Sequence, residues 1–398
     1  MPSPPPLVSS SDDLRALAEE ARAGGRLALD TEFVWERTYR PMLGVVQVAT
    51  DRRTAVIDAI SARDLSPLFP VLRDPAITVV LHGGGQDLDI FAFLMGAPIA
   101  GAADTQVMAA FLGHGFQAGL SMLLERVLRV RLRKDQTYTD WTRRPLRPEQ
   151  LEYAEADVLH LLPLYDALRA DLERRGRTPW VEEELRTLSD PARFAPVPPE
   201  ERYRNVKGWQ RHAGQELAVL RALAAWRDRA AERANLRPQF LVSDIVMTSL
   251  AARPAKSLDD LRHVRGLSAG TVERHGRALV AAIAEGLACP RESWPSPPPR
   301  LRRRAPAPGL VALLRACVQT AAEREDVAPE VIATSRDIEA LAAAGGEAPA
   351  TESLDVLRGW RRRLVGERLL AIARGEVAIR YDPERRSVVT EPAGPPRA

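Results

Sequence analysis

The stretch Leu27-Ala28-Leu29-Asp30-Thr31-Glu32-Phe33 decides how this chain of 398 residues is read. Side chains alternate along an extended strand, so Leu27, Leu29, Thr31 and Phe33 face one way and Asp30 and Glu32 the other. Two carboxylates on one face of an otherwise apolar strand repel each other, and burying them unpaired costs roughly several kcal/mol. Hard divalent cations such as Mg²⁺ or Mn²⁺, which take oxygen ligands, remove that cost. The competing reading is an edge strand whose acids face water. It fits less well, because Arg26 to Phe33 stands where a central strand opens an α/β domain.

Two further segments supply matching chemistry. His82-Gly83-Gly84-Gly85-Gln86-Asp87 follows the short apolar strand Ile77 to Leu81 and leads into a helical pattern of Leu88, Ile90, Phe91 and Leu94. The glycines let the backbone turn tightly, and Asp87 falls in the first helical turn, aimed back at the strand ends. Asp89 faces elsewhere on that helix. Tyr153-Ala154-Glu155-Ala156-Asp157 lies in a helix predicted from Pro148 to Leu168, with Pro148 suited to its first turn. Tyr153 and Asp157 are four apart and share a face. The alternative for this pair is a tyrosine packed on the core above a solvated aspartate.

The stretches LALDTEFVWERTYRPMLGVVQVAT, VVLHGGGQDLDIF, DTQVMAAFLG, TDWTRRPL and LEYAEADVLHLLPLY occur in this order and cover most of residues 20 to 168. Together they resemble ribonuclease D, of the DEDD superfamily of 3′-to-5′ exonucleases. The tyrosine in the third motif points to the DEDDy subgroup. The resemblance implies a ribonuclease H-like α/β domain, a mixed sheet flanked by helices, followed by all-α helical-bundle domains. It implies Asp30, Glu32, Asp87 and Asp157 as catalytic metal ligands for two divalent ions, Mg²⁺ or Mn²⁺, and Tyr153 as the group that positions the attacking water. His82 is expected to be a structural histidine at a strand end. Phe33, Trp35 and Trp141 are candidates for splaying the terminal base, and Arg143 and Arg144 for holding phosphates; Trp141 packing its own loop is the alternative. The implied substrate is RNA with a free 3′ end, tRNA precursors above all. The implied products are nucleoside 5′-monophosphates.

Composition narrows the class. A hydrophobic fraction of 45% and a charged fraction of 27% describe a soluble globular protein of two or three domains. The net charge of +3 leaves nucleic-acid binding to local clusters. Cys289 and Cys317, the only cysteines, have no metal-site or disulfide spacing. The N-terminus has no signal-peptide pattern and no apolar run reaches membrane length, so a cytoplasmic monomer with no membrane partner is expected.

Along the chain, residues 1–195 carry the exonuclease pattern, with strands expected at Leu27–Phe33, Gly44–Ala49, Thr54–Asp58 and Thr78–Leu81. A Pro-rich linker follows at Asp190 to Glu200. Residues 210–290 read as a helical bundle that resembles the HRDC domain, opened by a helix from Glu216 to Glu232. Pro290 to Gly309 is a second linker, with a basic run at Arg300, Arg302, Arg303 and Arg304. Residues 305–385 read as a second, HRDC-like helical module. Its Pro329 and Asp337-Ile338 parallel Pro238 and Asp244-Ile245 of the first, and Trp360 with Arg361 to Arg363 forms a basic aromatic helix that either contacts RNA or packs in the core. Two competing functions remain: a DNA-directed exonuclease built on the same metal centre, and a non-enzymatic RNA-binding protein.

Overall fold

A computed structural model describes residues 6–132, 139–296, 306–345, 354–385 and 387–393. The chain divides into two compact units. One comprises Met1–Glu32, Leu43–Phe194 and Arg302–Ala398; the other comprises Phe33–Met42 and Ala195–Leu301. The basic run at Arg300 to Arg304 lies outside the described residues.

The first unit is built on six strands: β1 (Leu7–Val8), β2 (Arg26–Val34), β3 (Met42–Ala49), β4 (Thr54–Asp58), β5 (Thr78–Leu81) and β6 (Ala102–Asp104). Their order is β1-β4-β3-β2-β5-β6. β3 and β4 run antiparallel, from Val45 opposite Asp58 to Ala49 opposite Thr54. β1 is parallel to β4, β5 to β2 and β6 to β5, so the sheet is mixed as expected. The four expected strands are present. β1 and β6 are two and three residues long, too short for alternation to reveal them.

The alternation on β2 sorts its side chains as its sequence dictates. Leu27 and Leu29 are buried with Val46, Val48, Val79 and Leu81 beneath helices α1 (Ser11–Gly24) and α2 (Gly85–Met95). Ala28 and Val80 face the opposite core, which holds Val158, Leu161, Leu164 and Leu168. The helix expected from Pro148 to Leu168 is instead two: α3 (Pro148–Leu159) and α4 (Leu161–Arg174), broken at His160. Pro163 explains the break, since its ring crowds the carbonyl of the residue four back, Leu159, and has no N–H to donate.

A loop pinned to the sheet precedes α3. Arg144 donates to both oxygens of Asp58 at 2.6 and 2.9 Å and to the Gly44 carbonyl at 2.9 Å. Burial pushes the Asp58 carboxyl upward, but Arg144 and Ser61 outweigh it and bring it down to about 2. Trp141 lies so near β3 that a Cβ at Gly44 would stand 2.5 Å from the Trp141 carbonyl oxygen.

The C-terminal stretch shares the core of this unit. Trp360 is buried, stacked on Trp180 of α5 (Thr178–Leu188) at 5.0 Å and 14°, and edge-on to Phe111 at 5.3 Å. Its Nε1 donates to Glu184 at 3.1 Å, and Arg361 Nη2 donates to the same carboxylate at 2.8 Å. Arg177 donates to the carbonyls of Phe111, Glu325 and Asp326. Of the two readings of this segment, packing in the core is the one that holds for Trp360 and Arg361. A hairpin of Val377–Asp382 and Ser387–Pro392 closes the region and was not foreseen by the helical reading.

In the second unit, helices Gln215–Ala234 and Ala269–Ala288 pack so closely that a Cβ on Gly286 would overlap the Val219 backbone. The segment after β2 belongs here. The Tyr39 hydroxyl donates to Asp228 at 2.9 Å, and its pKa is pushed up to about 12, chiefly by burial. Arg40 pairs with Glu232 at 2.9 Å.

The weak sequence repeat has a local structural counterpart, with one correction. Helices Gln215–Ala234 and Pro308–Glu325 both end on a left-handed residue, Asn235 (φ 47°) and Asp326 (φ 48°). Prolines 238 and 329 each open a four-residue helix, and Ser243 and Thr334, at equal distance beyond, cap the next one. The two Asp-Ile pairs are not equivalent: Asp244 is the first residue of its helix and Asp337 the third, in a capping box with Thr334.

Removing Arg144 strands the Asp58 carboxylate, whose side chain is 5% exposed. Arg144→Ala should lower stability by about 3 kcal/mol, read from the urea midpoint at pH 7, with Arg144→Lys intermediate. An unchanged midpoint would mean that the ion pair is replaced by solvent.

Candidate active site

Three elements bring the candidate acids to one place. β2 carries Asp30 and Glu32 toward its C-terminal end, α2 carries Asp87 in its first turn, and α3 carries Tyr153 and Asp157. Asp87 benefits from the positive end of its helix, whereas Asp157 lies in the last turn of α3, where the helix dipole disfavours a negative charge.

The electrostatics show the convergence. Burial, and then the charges of Asp87, Asp157 and Glu32, raise the Asp30 carboxyl well above its ordinary range. Burial, followed by Asp157 and Asp87, brings Glu32 to about 8. Burial brings Asp157 to about 7, with the Tyr153 hydroxyl opposing the rise. Burial also raises Asp87, against the hydrogen bond donated by the Thr31 hydroxyl. The Tyr153 phenol is shifted upward by burial and by the carboxylates of Asp157, Glu32 and Asp30. Among the described residues, the charged groups that most shift the four acids are carboxylates.

A turn of fixed shape aims Asp87. Gly83 has φ +64°, and a Cβ on Gly84 would stand 2.7 Å from the Leu81 side chain, so neither position favours a larger residue. Asp104 accepts from the backbone N–H of Gly83 (2.9 Å), Gly84 (3.0 Å) and Gln106 (2.8 Å). Asp104 and Thr31 were not picked out as site residues from sequence. The signal for Asp104 was an acid opening a helix directly after a short apolar stretch. His82 Nδ1 lies 2.9 Å from the Thr105 hydroxyl, and burial lowers its pKa, as suits a structural imidazole.

The expected substrate contacts fare unevenly. Trp141 is 3% exposed and packs with Val45, Val56 and Ala154, its ring 6.1 Å from that of Tyr153. It backs the tyrosine and offers no face to a base, so the splaying role is withdrawn. Arg144 is committed to Asp58, Gly44 and Trp141, and its phosphate role is withdrawn for the same reason. Arg143 is exposed, Phe33 is half-buried, and Trp35 is 38% exposed beneath the Arg237 guanidinium at 5.0 Å.

The donor set fits hard divalent cations in its chemistry: oxygen donors only, negatively charged, with no internal cation among the groups that shift them. Among the described residues, no three His, Cys, Asp or Glu side chains already form a cation-holding group.

Raised carboxyl pKa values mean that the folded protein keeps protons which the unfolded chain releases. Stability of the metal-free protein should then fall as pH rises from the unfolded values, 3.8 for Asp157 and 4.5 for Glu32, through about 7 and about 8. Asp30→Asn should raise the melting temperature in EDTA at pH 8 by on the order of 3 °C, by less at pH 5, and leave it unchanged only below the unfolded value of 3.8. Equal melting temperatures at both pH values would show that the acids do not repel in the folded state.

Residues 5–173 match the model of the 3′-5′ exonuclease family, and residues 216–283 match the HRDC domain. A ribonuclease D of Acidiphilium cryptum is 39% identical over 98% of this chain and 100% of its own. That of Escherichia coli K12 is 34% identical over 91% of this chain and 96% of its own. The crystal structure of Escherichia coli RNase D, described as an exoribonuclease involved in structured RNA processing, aligns with a TM-score of 0.83 at 32% identity. The alignment covers 94% of this chain and 99% of that one. Matched in sequence and in fold across nearly its whole length, the chain belongs to the ribonuclease D family of 3′-to-5′ exoribonucleases.

Proposed function

We propose that Asp30, Glu32, Asp87 and Asp157 hold two divalent metal ions, Mg²⁺ or Mn²⁺, and that Tyr153 positions the water that attacks the terminal phosphodiester. The observation that carries this reading is the upward shift of half-buried and buried carboxylates on three separate elements, with no cation among the described groups that shift them. When bound, the ions activate water and stabilise the leaving 3′-oxygen. The acids must be ionised to hold them, so activity falls in acid. Tyr153, supported by Trp141 and within hydrogen-bonding reach of Asp157, stays protonated at neutral pH and can donate to one group while orienting another. Thr31 fixes the Asp87 carboxylate, and Asp104 fixes the turn that presents it.

The substrate we infer is a tRNA precursor with an extended 3′ end, whose extra nucleotides a cytoplasmic monomer releases as nucleoside 5′-monophosphates. Phe33 and Arg143 are the proposed nucleotide contacts. The proposed domains are 1–195 for the exonuclease, 210–290 for the HRDC domain and 305–385 for a second HRDC-like module. The repeated left-handed cap, proline turn and hydroxyl cap support the last. Among the described residues no helix is long and apolar enough to cross a membrane.

A precursor labelled at its 5′ end, incubated with Mg²⁺ or Mn²⁺, should give a ladder that shortens from the 3′ end and stops near the mature terminus. Asp157→Ala should abolish it. Degradation of matched single-stranded DNA, with the RNA untouched, would transfer the assignment to DNA. Tyr153→Phe should lower kcat by on the order of 10²-fold without moving the melting temperature; an unchanged kcat would remove the phenol from the mechanism. Calcium should bind and support little turnover, because its coordination shell is larger and looser.

A further inference from the structure

Gln47 is 0% exposed, and neither its Oε1 nor its Nε2 has a hydrogen-bond partner. A buried carboxamide with both ends unsatisfied is a standing cost, and an apolar residue of similar size would avoid it. Its place in the sheet indicates what the group is for. Gln47 lies on β3, opposite Val56 of β4. Strand alternation puts it on the same face as Val45 and Ala49. Val45 and Val56 pack under Ala154 of α3 with Trp141 and Tyr153, and Ala49 joins the cluster that contains Val158. Gln47 is therefore set beneath the helix that carries Tyr153 and Asp157. The strand on its other side is β2, whose acid face carries Ala28, Asp30 and Glu32.

We infer that Gln47 is a positioning residue for the acid cluster: when the carboxylates are drawn onto their cations, its amide N–H donates to an acid of one of the two neighbouring elements, Asp30 of β2 or Asp157 of α3. Groups that hydrogen-bond to metal ligands orient them, and losing one weakens metal binding by about 10- to 100-fold. This inference rests on the metal-binding role assigned above.

The test separates the two. Mg²⁺ affinity is measured by calorimetry on wild type, Asp30→Asn, Gln47→Met and Gln47→Leu, together with melting temperatures in EDTA. Gln47→Met, of similar length and no polarity, should melt at or above the wild-type temperature and bind Mg²⁺ at least about 10-fold more weakly. In wild type, the Gln47 side-chain amide resonances should move on addition of Mg²⁺. A Gln47→Met protein that melts higher and binds Mg²⁺ as wild type does would reduce Gln47 to a packing defect and overturn the inference; stationary amide resonances would do the same. If Gln47→Met does not fold, Gln47→Leu and the wild-type resonances decide. Wild type that fails to bind Mg²⁺ at all would instead overturn the metal-binding role.

Discussion

Like charges that must be held together against their own repulsion organise this molecule. Four carboxylates meet at one end of a mixed sheet, and each raises the proton affinity of a neighbour or has its own raised. A chain bends away from such an arrangement unless the backbone leaves no alternative. Here β2 is locked between β3 and β5, the glycine turn is clamped by two N–H bonds to Asp104, and α3 is backed by Trp141 in a loop pinned by Arg144 to Asp58. Most of this scaffolding lies outside the acid cluster itself. Its work is to keep the acids from relaxing apart.

The readable parts of the sequence are those where a local rule and the tertiary environment agree. Alternation on β2 separated Leu27 and Leu29 from Asp30 and Glu32, and the two cores of the sheet honour that separation. Tyr153 and Asp157, four residues apart, share a face because the α-helix has that period. The misreadings have a common origin in partners that are remote in sequence. Nothing near Arg144 announces Asp58, so an arginine beside another basic residue read as a phosphate contact; nothing near Trp360 announces Trp180 and Glu184, so its sequence left core packing and RNA contact both open. The break at His160 was available locally in Pro163, but the strong apolar periodicity on both sides concealed it. The repeat was aligned on Asp-Ile pairs when the hydroxyl caps, Ser243 and Thr334, were its true markers.

Division into two units cuts across the order of the sequence. The segment after Glu32 belongs with the helical unit, through Tyr39 on Asp228 and Arg40 on Glu232. The last stretch of chain returns to the unit that holds the acids. Sequence reading treated these stretches as modules in a row, which is how linkers and composition present them. Hydrogen bonds and core clusters group them differently, because burial depends on which surfaces meet and not on which residues follow one another.

The stacking of Trp360 on Trp180 and Phe111 has a consequence for synthesis. Domains generally fold as they emerge, at roughly 5–20 residues per second. The nuclease portion cannot finish on that schedule, since part of its interior is supplied by residues beyond Arg302. Until Trp360 has been made, Phe111 and Trp180 lack its ring as cover. A chain truncated before that point leaves apolar core surface exposed, the feature that chaperones and proteases recognise in incompletely folded proteins.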